Sequence, residues 1–131
     1  MTPTRKLTDP VLLSNLLFAL NAYAWLYVGQ VYCAVALFVS FIASMVYHHY
    51  HEALRVTLHI DRLSATVALF ITLYFSYPHL NSLSMVYVAI FLCTSLYIKN
   101  MKDVDYDTKH TVWHFCVFMG QLSLASNIPL T

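Results

Sequence analysis

The chain has 131 residues, of which 60% are hydrophobic and 10% are charged, and its formal net charge at pH 7 is +1. A soluble domain carries about 25% charged residues, so this composition excludes an ordinary soluble domain, and the near-neutral charge argues against a nucleic-acid-binding protein. Because the apolar residues form long blocks, the sequence predicts an all-α, polytopic membrane protein with a single helical domain over residues 1–131.

The apolar residues form five blocks along the chain. Asp9 is the predicted N-cap of the first helix and Pro10 its first helical residue. Asn15 and Asn21 within that block indicate a helix that packs against other helices. Each block is close to the ~20 residues needed to cross the hydrocarbon, and the five predicted transmembrane spans are 10–28, 30–48, 61–77, 80–98 and 110–128.

The first block also has features of a signal peptide. Basic residues precede it, and Ala22-Tyr23-Ala24 resembles a cleavage site. The apolar run nevertheless continues through Trp25 to Val28, and the chain turns directly into the second block. We therefore favour a membrane span that pairs with the second one as an antiparallel hairpin.

Every basic residue falls on one side of the membrane in the five-span topology. The positive-inside rule then predicts a cytosolic N-terminus and an extracytosolic C-terminus. A one-sided distribution also supports the count of five, because a missed span would divide the basic residues between the two sides. The residues are Arg5, Lys6, Arg55, Arg62, Lys99, Lys102 and Lys109.

Two pairs of polar residues share a helical spacing near this cytosolic surface. His110 and His114 lie four residues apart, so they occupy one face of the fifth helix, and Ser44 and His48 repeat that spacing at the end of the second. Asp61 opens the third span at the same surface. The sequence therefore predicts that all five side chains meet in one layer just inside the cytosolic boundary.

This set of residues suits a catalytic zinc site. Three neutral imidazoles would leave the fourth tetrahedral position open for water, whose pKa zinc lowers to about 7. Asp61 could transfer the proton of that water to a leaving group, and Ser44 could orient the water or stabilise an oxyanion. His51 shares a face with Ser44 and is an alternative to His48 as the ligand from the second span.

Each residue also has a structural interpretation. Ser44 continues a row of small residues with Ala36 and Ser40, which would allow close helix packing. Asp61 stands where an N-cap is expected. The His110 and His114 pair could form structural polar contacts, and a bis-histidine haem is a further interpretation. Two histidines on one turn of one helix cannot straddle a single haem, however.

The ordered motifs resemble those of the CREST superfamily of membrane hydrolases. This group includes the alkaline ceramidases, the progestin and adipoQ receptors, the Per1-like lipid remodelling proteins and the myomaker-like proteins, the last being the most similar in compactness. The resemblance covers Ser44 to His114, including the His-x-x-Trp-His form of the last motif. It implies a zinc held by His48, His110 and His114, with Asp61 and Ser44 beside the metal-bound water.

The resemblance further implies hydrolysis of an amide or ester bond in a membrane lipid, with the metal-bound water as nucleophile. This chain has fewer predicted membrane spans than is usual in the family, so part of the family's lipid pocket would be missing. Some members act as receptors or in membrane fusion, so a non-enzymatic membrane scaffold with a structural metal is the alternative. A homo-oligomer could complete the pocket, although no residue pattern predicts one.

Overall fold

The described part of the chain forms five α-helices. In this computed structural model, residues 5–6, 8–50 and 55–130 are described, without the side chain of Tyr50, and they contain no β-strand. A short 3₁₀ helix, Tyr77–His79, follows the third α-helix. The α-helices are α1 (Pro10–Tyr27), α2 (Val31–Tyr50), α3 (Arg55–Ser76), α4 (Ser82–Asn100) and α5 (Tyr106–Ala125).

Local sequence signals account for both ends of α1. The Asp9 side chain accepts a hydrogen bond from the Val11 N–H, and Pro10 occupies the first turn, as predicted. Gly29 follows the helix with φ of 78°, a left-handed conformation that glycine adopts without steric cost. The Gln30 N–H donates to the Trp25 carbonyl, which completes the hydrogen-bond pattern of a Schellman motif and reverses the chain into α2.

Two helices begin earlier than the sequence predicted. Since α3 already includes Arg55, Asp61 lies in its second turn, and the interpretation of Asp61 as an N-cap is wrong. Helix α5 begins at Tyr106 and is capped by Asp105, whose side chain accepts from the Thr108 N–H. His110 consequently lies one turn inside α5 rather than at its start.

The bundle is arranged around α1, α2 and α5. Helix α1 contacts both α2 and α5, while α3 packs on α2 and α4 packs on α5. Helix α3 touches α5 only sparsely, and within the described residues it has no contact with α4. One flank of the bundle, between α3 and α4, is therefore not closed by helix packing.

Helices α1 and α5 run parallel and pack against each other. Ser14 and Phe18, one turn apart on α1, both contact His114 of α5. Both helices have further buried residues beyond this contact, among them Asn21 in α1 and Gln121 in α5.

The bundle is that of a polytopic membrane protein. Four segments are long and apolar enough to cross a membrane, namely Pro10–Tyr27, Val31–His49, Arg55–His79 and Ser82–Asn100. Helix α5 has 20 residues, a sufficient length, but it is less apolar because its first turns contain Asp107, Lys109 and His110.

Candidate metal centre

Three histidines from two helices converge at one end of the bundle. His48 comes from the last turns of α2, whereas His110 and His114 lie one turn apart on α5. His48 and His114 are fully buried, at 0% and 1% exposure, and His110 is half-buried. We call this end of the bundle, where α2 ends and α3 and α5 begin, the histidine end.

The three imidazole rings are close enough to share a metal ion. One ring nitrogen from each residue lies within 4.8 Å of the other two. The ring centroids are 4.5 Å apart between His48 and His110 and 4.4 Å apart between His110 and His114. Zn–N bonds of about 2.1 Å in a tetrahedral site place the ligand nitrogens about 3.4 Å apart, which is shorter than the 4.8 Å limit within which the three nitrogens lie here.

Ser14 of α1 contacts one ring nitrogen of His114. The Ser14 hydroxyl lies 2.8 Å from the Val11 carbonyl, to which it can donate. Its oxygen lies 2.7 Å from Nδ1 of His114, and the direction of that hydrogen bond depends on the tautomer of the ring. In the tautomer with the proton on Nδ1, Ser14 accepts that proton and Nε2 is unprotonated, which is the form that binds a metal.

Polar side chains extend this layer across α1, α2 and α3. Ser44 Oγ lies 2.8 Å from Oδ1 of Asn15, a residue with no exposed surface. The Asp61 carboxyl group is within hydrogen-bonding range of the same serine hydroxyl and interacts electrostatically with His48. Asp61 and Ser44 thus lie beside the histidines, in the arrangement that the sequence predicted. We call Ser14, Ser44, His48, His110 and His114 the metal layer.

The N-terminal segment crosses the histidine end. The Arg5 backbone N–H donates to the His49 carbonyl at 3.5 Å. Its guanidinium donates to both carboxylate oxygens of Asp107, at 2.8 and 3.0 Å, and to Asp9 at 3.0 Å. These contacts tie the chain before α1 to the end of α2 and the start of α5.

Asp107 precedes the predicted fifth span, and its charge is stabilised by this contact. The hydrogen bond from Arg5 lowers the pKa of Asp107, and the positive charge of the guanidinium acts in the same direction. Asp107 is thus an ion-pair partner of Arg5 at the histidine end.

The structure brings together most of the predicted site and adds residues to it. His48, His110 and His114 converge, with Ser44 and Asp61 nearby, whereas His51, the alternative ligand, lies outside the described residues. The contributions of Ser14 and Asn15 were not predicted. The only sequence signal for them was the presence of polar residues, Asn15 among them, in an otherwise apolar first helix.

Comparison of the chain with protein families, with curated proteins and with solved structures finds no match.

Proposed function

We propose that this protein is an integral-membrane, zinc-dependent hydrolase that cleaves an amide or ester bond of a lipid. The observation that carries the proposal is the convergence of three imidazoles, with a carboxyl group and a serine hydroxyl beside them, at one end of a membrane helix bundle. The likeness of these motifs to the CREST superfamily supports the same activity. The one-sided distribution of basic residues supports a site near the cytosolic face.

Zinc is the metal that best suits this donor set. Imidazole also binds copper, iron and nickel, but three imidazoles with an open fourth position are typical of zinc enzymes that hydrolyse their substrates. When bound, zinc supplies a Lewis acid and lowers the pKa of water to about 7. The protein contributes a buried ligand set, in which we propose that Ser14 holds the His114 ring in the metal-binding tautomer.

Asp61 is the proposed proton-transfer group. During hydrolysis the oxygen of water bonds to the carbonyl carbon, and the C–N or C–O bond of the lipid breaks. The Asp61 carboxylate takes the proton from the water and passes it to the departing nitrogen or oxygen.

Ser44 and Asn15 are proposed to orient that carboxylate. Ser44 has a single hydroxyl proton, so it cannot donate to Asn15 and Asp61 at once. The buried Asn15 Nδ2 has no hydrogen-bond partner within the described chain. A half-turn of the Asn15 amide would let Nδ2 donate to Ser44, which frees the Ser44 proton for Asp61. The resulting Asn15–Ser44–Asp61 chain gives the carboxylate a fixed direction.

The open flank of the bundle supports a lipid as the substrate. Helix α3, which carries Asp61, contacts α5 only sparsely, and we propose that lipid enters the bundle on this side. Apolar side chains cover the exposed surfaces of α3 and α4, as expected for helices in contact with lipid. A lipid could therefore approach the site laterally, with its reacting carbonyl at the depth of the histidines.

Metal analysis of the purified protein tests the ligand set. We expect about one zinc per chain in the wild type and loss of that zinc in His114→Ala. His79→Ala is the matched control, because His79 is exposed at the opposite end of the bundle. Equal zinc contents in the wild type and in His114→Ala would contradict the assignment.

Asp61→Asn separates an enzyme from a non-enzymatic scaffold. This variant keeps the size of the side chain but cannot accept a proton, so we expect it to bind zinc normally and to lose hydrolysis by about 100-fold or more. The measurement is the release of acyl products from a total membrane lipid extract, with the exposed Asp103→Asn as control. If Asp61→Asn and the wild type give equal product, the scaffold interpretation is preferred.

A further inference from the structure

Helix α3 has a basic surface close to the histidine end. Arg55, His59 and Arg62 follow one another at helical intervals of four and three residues, which places them on one side of the helix. All three residues are exposed. We call these three residues the basic face.

The contacts of α3 show which side of the helix carries the basic face. Phe75 stacks on Tyr32 of α2, and Thr72 accepts a hydrogen bond from Gln121 of α5. At about 100° per residue, Thr72 lies about 60° round the helix from Phe75, and Arg62 lies about 80° further in the same direction. The basic face therefore lies beyond the contact with α5, on the flank that helix packing leaves open.

The basic face adjoins the proposed catalytic carboxylate. By the same rotation, Asp61 falls between the directions of Phe75 and Thr72 and faces the bundle, whereas the next residue, Arg62, lies about 100° away on the open flank. The positive charge of Arg62 acts on the Asp61 carboxyl group. A molecule held by Arg62 would thus lie beside Asp61.

The two arginines of the basic face have positive charges that the described chain does not pair. Among residues 5–6, 8–50 and 55–130, neither Arg55 nor Arg62 forms an ion pair. Asp61, which faces the bundle, is the only acidic residue of α3. An arginine within a membrane span is costly unless it reaches a partner or the headgroup region. The open flank therefore favours an anionic partner at this depth.

Beyond the basic face, the same side of α3 becomes apolar. Leu69 lies seven residues after Arg62, nearly in line with it along the helix, and is 43% exposed. The flank consequently offers positive charge near the membrane surface and apolar surface further into the bilayer. A lipid with an anionic headgroup has the same arrangement of charge and apolar chains.

We propose that the basic face binds the phosphate of an anionic phospholipid, which names the substrate class if the proposed hydrolase function, on which that last step rests, is correct. Arginine recognises phosphate through its charge and its paired N–H donors. A zwitterionic headgroup would bring a cation against the same arginines, and free phosphate has no acyl chains to cover Leu69. Because the glycerol group joins the phosphate to the ester carbonyls, a phosphate on Arg62 brings an ester towards Asp61.

Lipid binding to the purified protein tests this proposal without relying on hydrolysis. The probes are ether-linked phosphatidic acid and ether-linked phosphatidylcholine of equal chain length, which have no amide or carboxylic ester bond to cleave, and native mass spectrometry measures their affinities. We expect the wild type to prefer phosphatidic acid about tenfold, and Arg62→Gln to lose that preference, as for one lost hydrogen bond to a charged group. Lys102→Gln is the matched control, because it removes an exposed charge between α4 and α5.

Equal affinities of the wild type for the two lipids would overturn the proposal, even if Arg62→Gln failed to fold. An equal loss of preference in Lys102→Gln would also overturn it, because general surface charge would then select the lipid. Inorganic phosphate that bound as tightly as phosphatidic acid would contradict a lipid ligand. Zinc content and cleavage of ester-linked phosphatidic acid are measured on the same samples. Preferential binding without cleavage would support the lipid site and contradict the hydrolase.

Discussion

The histidine end and the interior of the bundle both contain buried polar side chains of α1, but these side chains are satisfied differently. At the histidine end, Ser14 lies within hydrogen-bonding distance of both the Val11 carbonyl and His114. Seven residues further along α1, Asn21 has no protein partner among the described residues for either of its amide atoms. The first arrangement joins a serine to a ring of another helix, while the second makes no such connection.

This difference shows that buried polar side chains inside a membrane helix bundle can have different roles. A polar side chain that is already bonded to its neighbours can position a third group, and its removal should disturb that group. A buried polar side chain without such bonds positions no neighbouring group, so its removal should disturb the protein framework less. The variants below test whether the metal layer behaves as a positioning layer, starting with the largest expected effect.

Ser14→Ala should weaken metal binding by about 10- to 100-fold, the usual effect of losing a residue that orients a metal ligand. The alanine cannot accept the Nδ1 proton of His114, so the ring is no longer held with Nε2 toward the other histidines. The measurement is competition for zinc with a chelator of known affinity. Ser95→Ala is the matched control, because Ser95 is equally buried and donates to a carbonyl three residues earlier in α4. Equal affinities for wild type and Ser14→Ala would contradict a positioning role.

Asn15→Leu should lower lipid hydrolysis by about tenfold, the factor for one lost buried hydrogen bond, without loss of zinc. Leucine fills a similar volume but leaves the Ser44 hydroxyl free to turn away from Asp61. Parallel assays of product release and metal content separate this effect from a damaged ligand set. Asn100→Leu, at the exposed end of α4, controls for the substitution itself. A variant that lost zinc and activity together would instead place Asn15 in the structural framework.

The sequence was sufficient to predict the convergence of the histidines, because it rests on two periodic features. The spacing of His110 and His114 defines one face of a helix, and antiparallel spans return α2 and α5 to the same membrane surface. Both features can be read from the sequence without knowing which helices are neighbours in the bundle.

The contributions of α1 could not be predicted in the same way. Ser14 and Asn15 face different helices, since Ser14 contacts α5 and Asn15 contacts α2. Polar residues in an apolar segment indicate that the helix packs against other helices. Which helix each polar residue contacts, however, depends on the order of the helices around the bundle. The early start of α3 was missed for a related reason: the mixed polar composition before Asp61 resembled a loop, although the structure continues the helix through it.

Arg5→Ala should have the smallest effect, a loss of about 1 kcal/mol or less in the free energy of unfolding, because the Asp107 side chain is 46% exposed and its ion pair is screened by water.

The pH dependence of this loss is more diagnostic than its size. Since Arg5 lowers the pKa of Asp107 in the folded protein, the pair contributes stability above the ordinary pKa of about 3.9 and loses it as the pH falls through the lower folded value. The difference in unfolding midpoint between wild type and Arg5→Ala should therefore be present at neutral pH and disappear in acid or high salt, with the exposed Lys6→Ala as control. A difference that stayed constant from neutral to acidic pH would mean that the Arg5 side chain acts through packing, and that the charge pair across the histidine end is incidental.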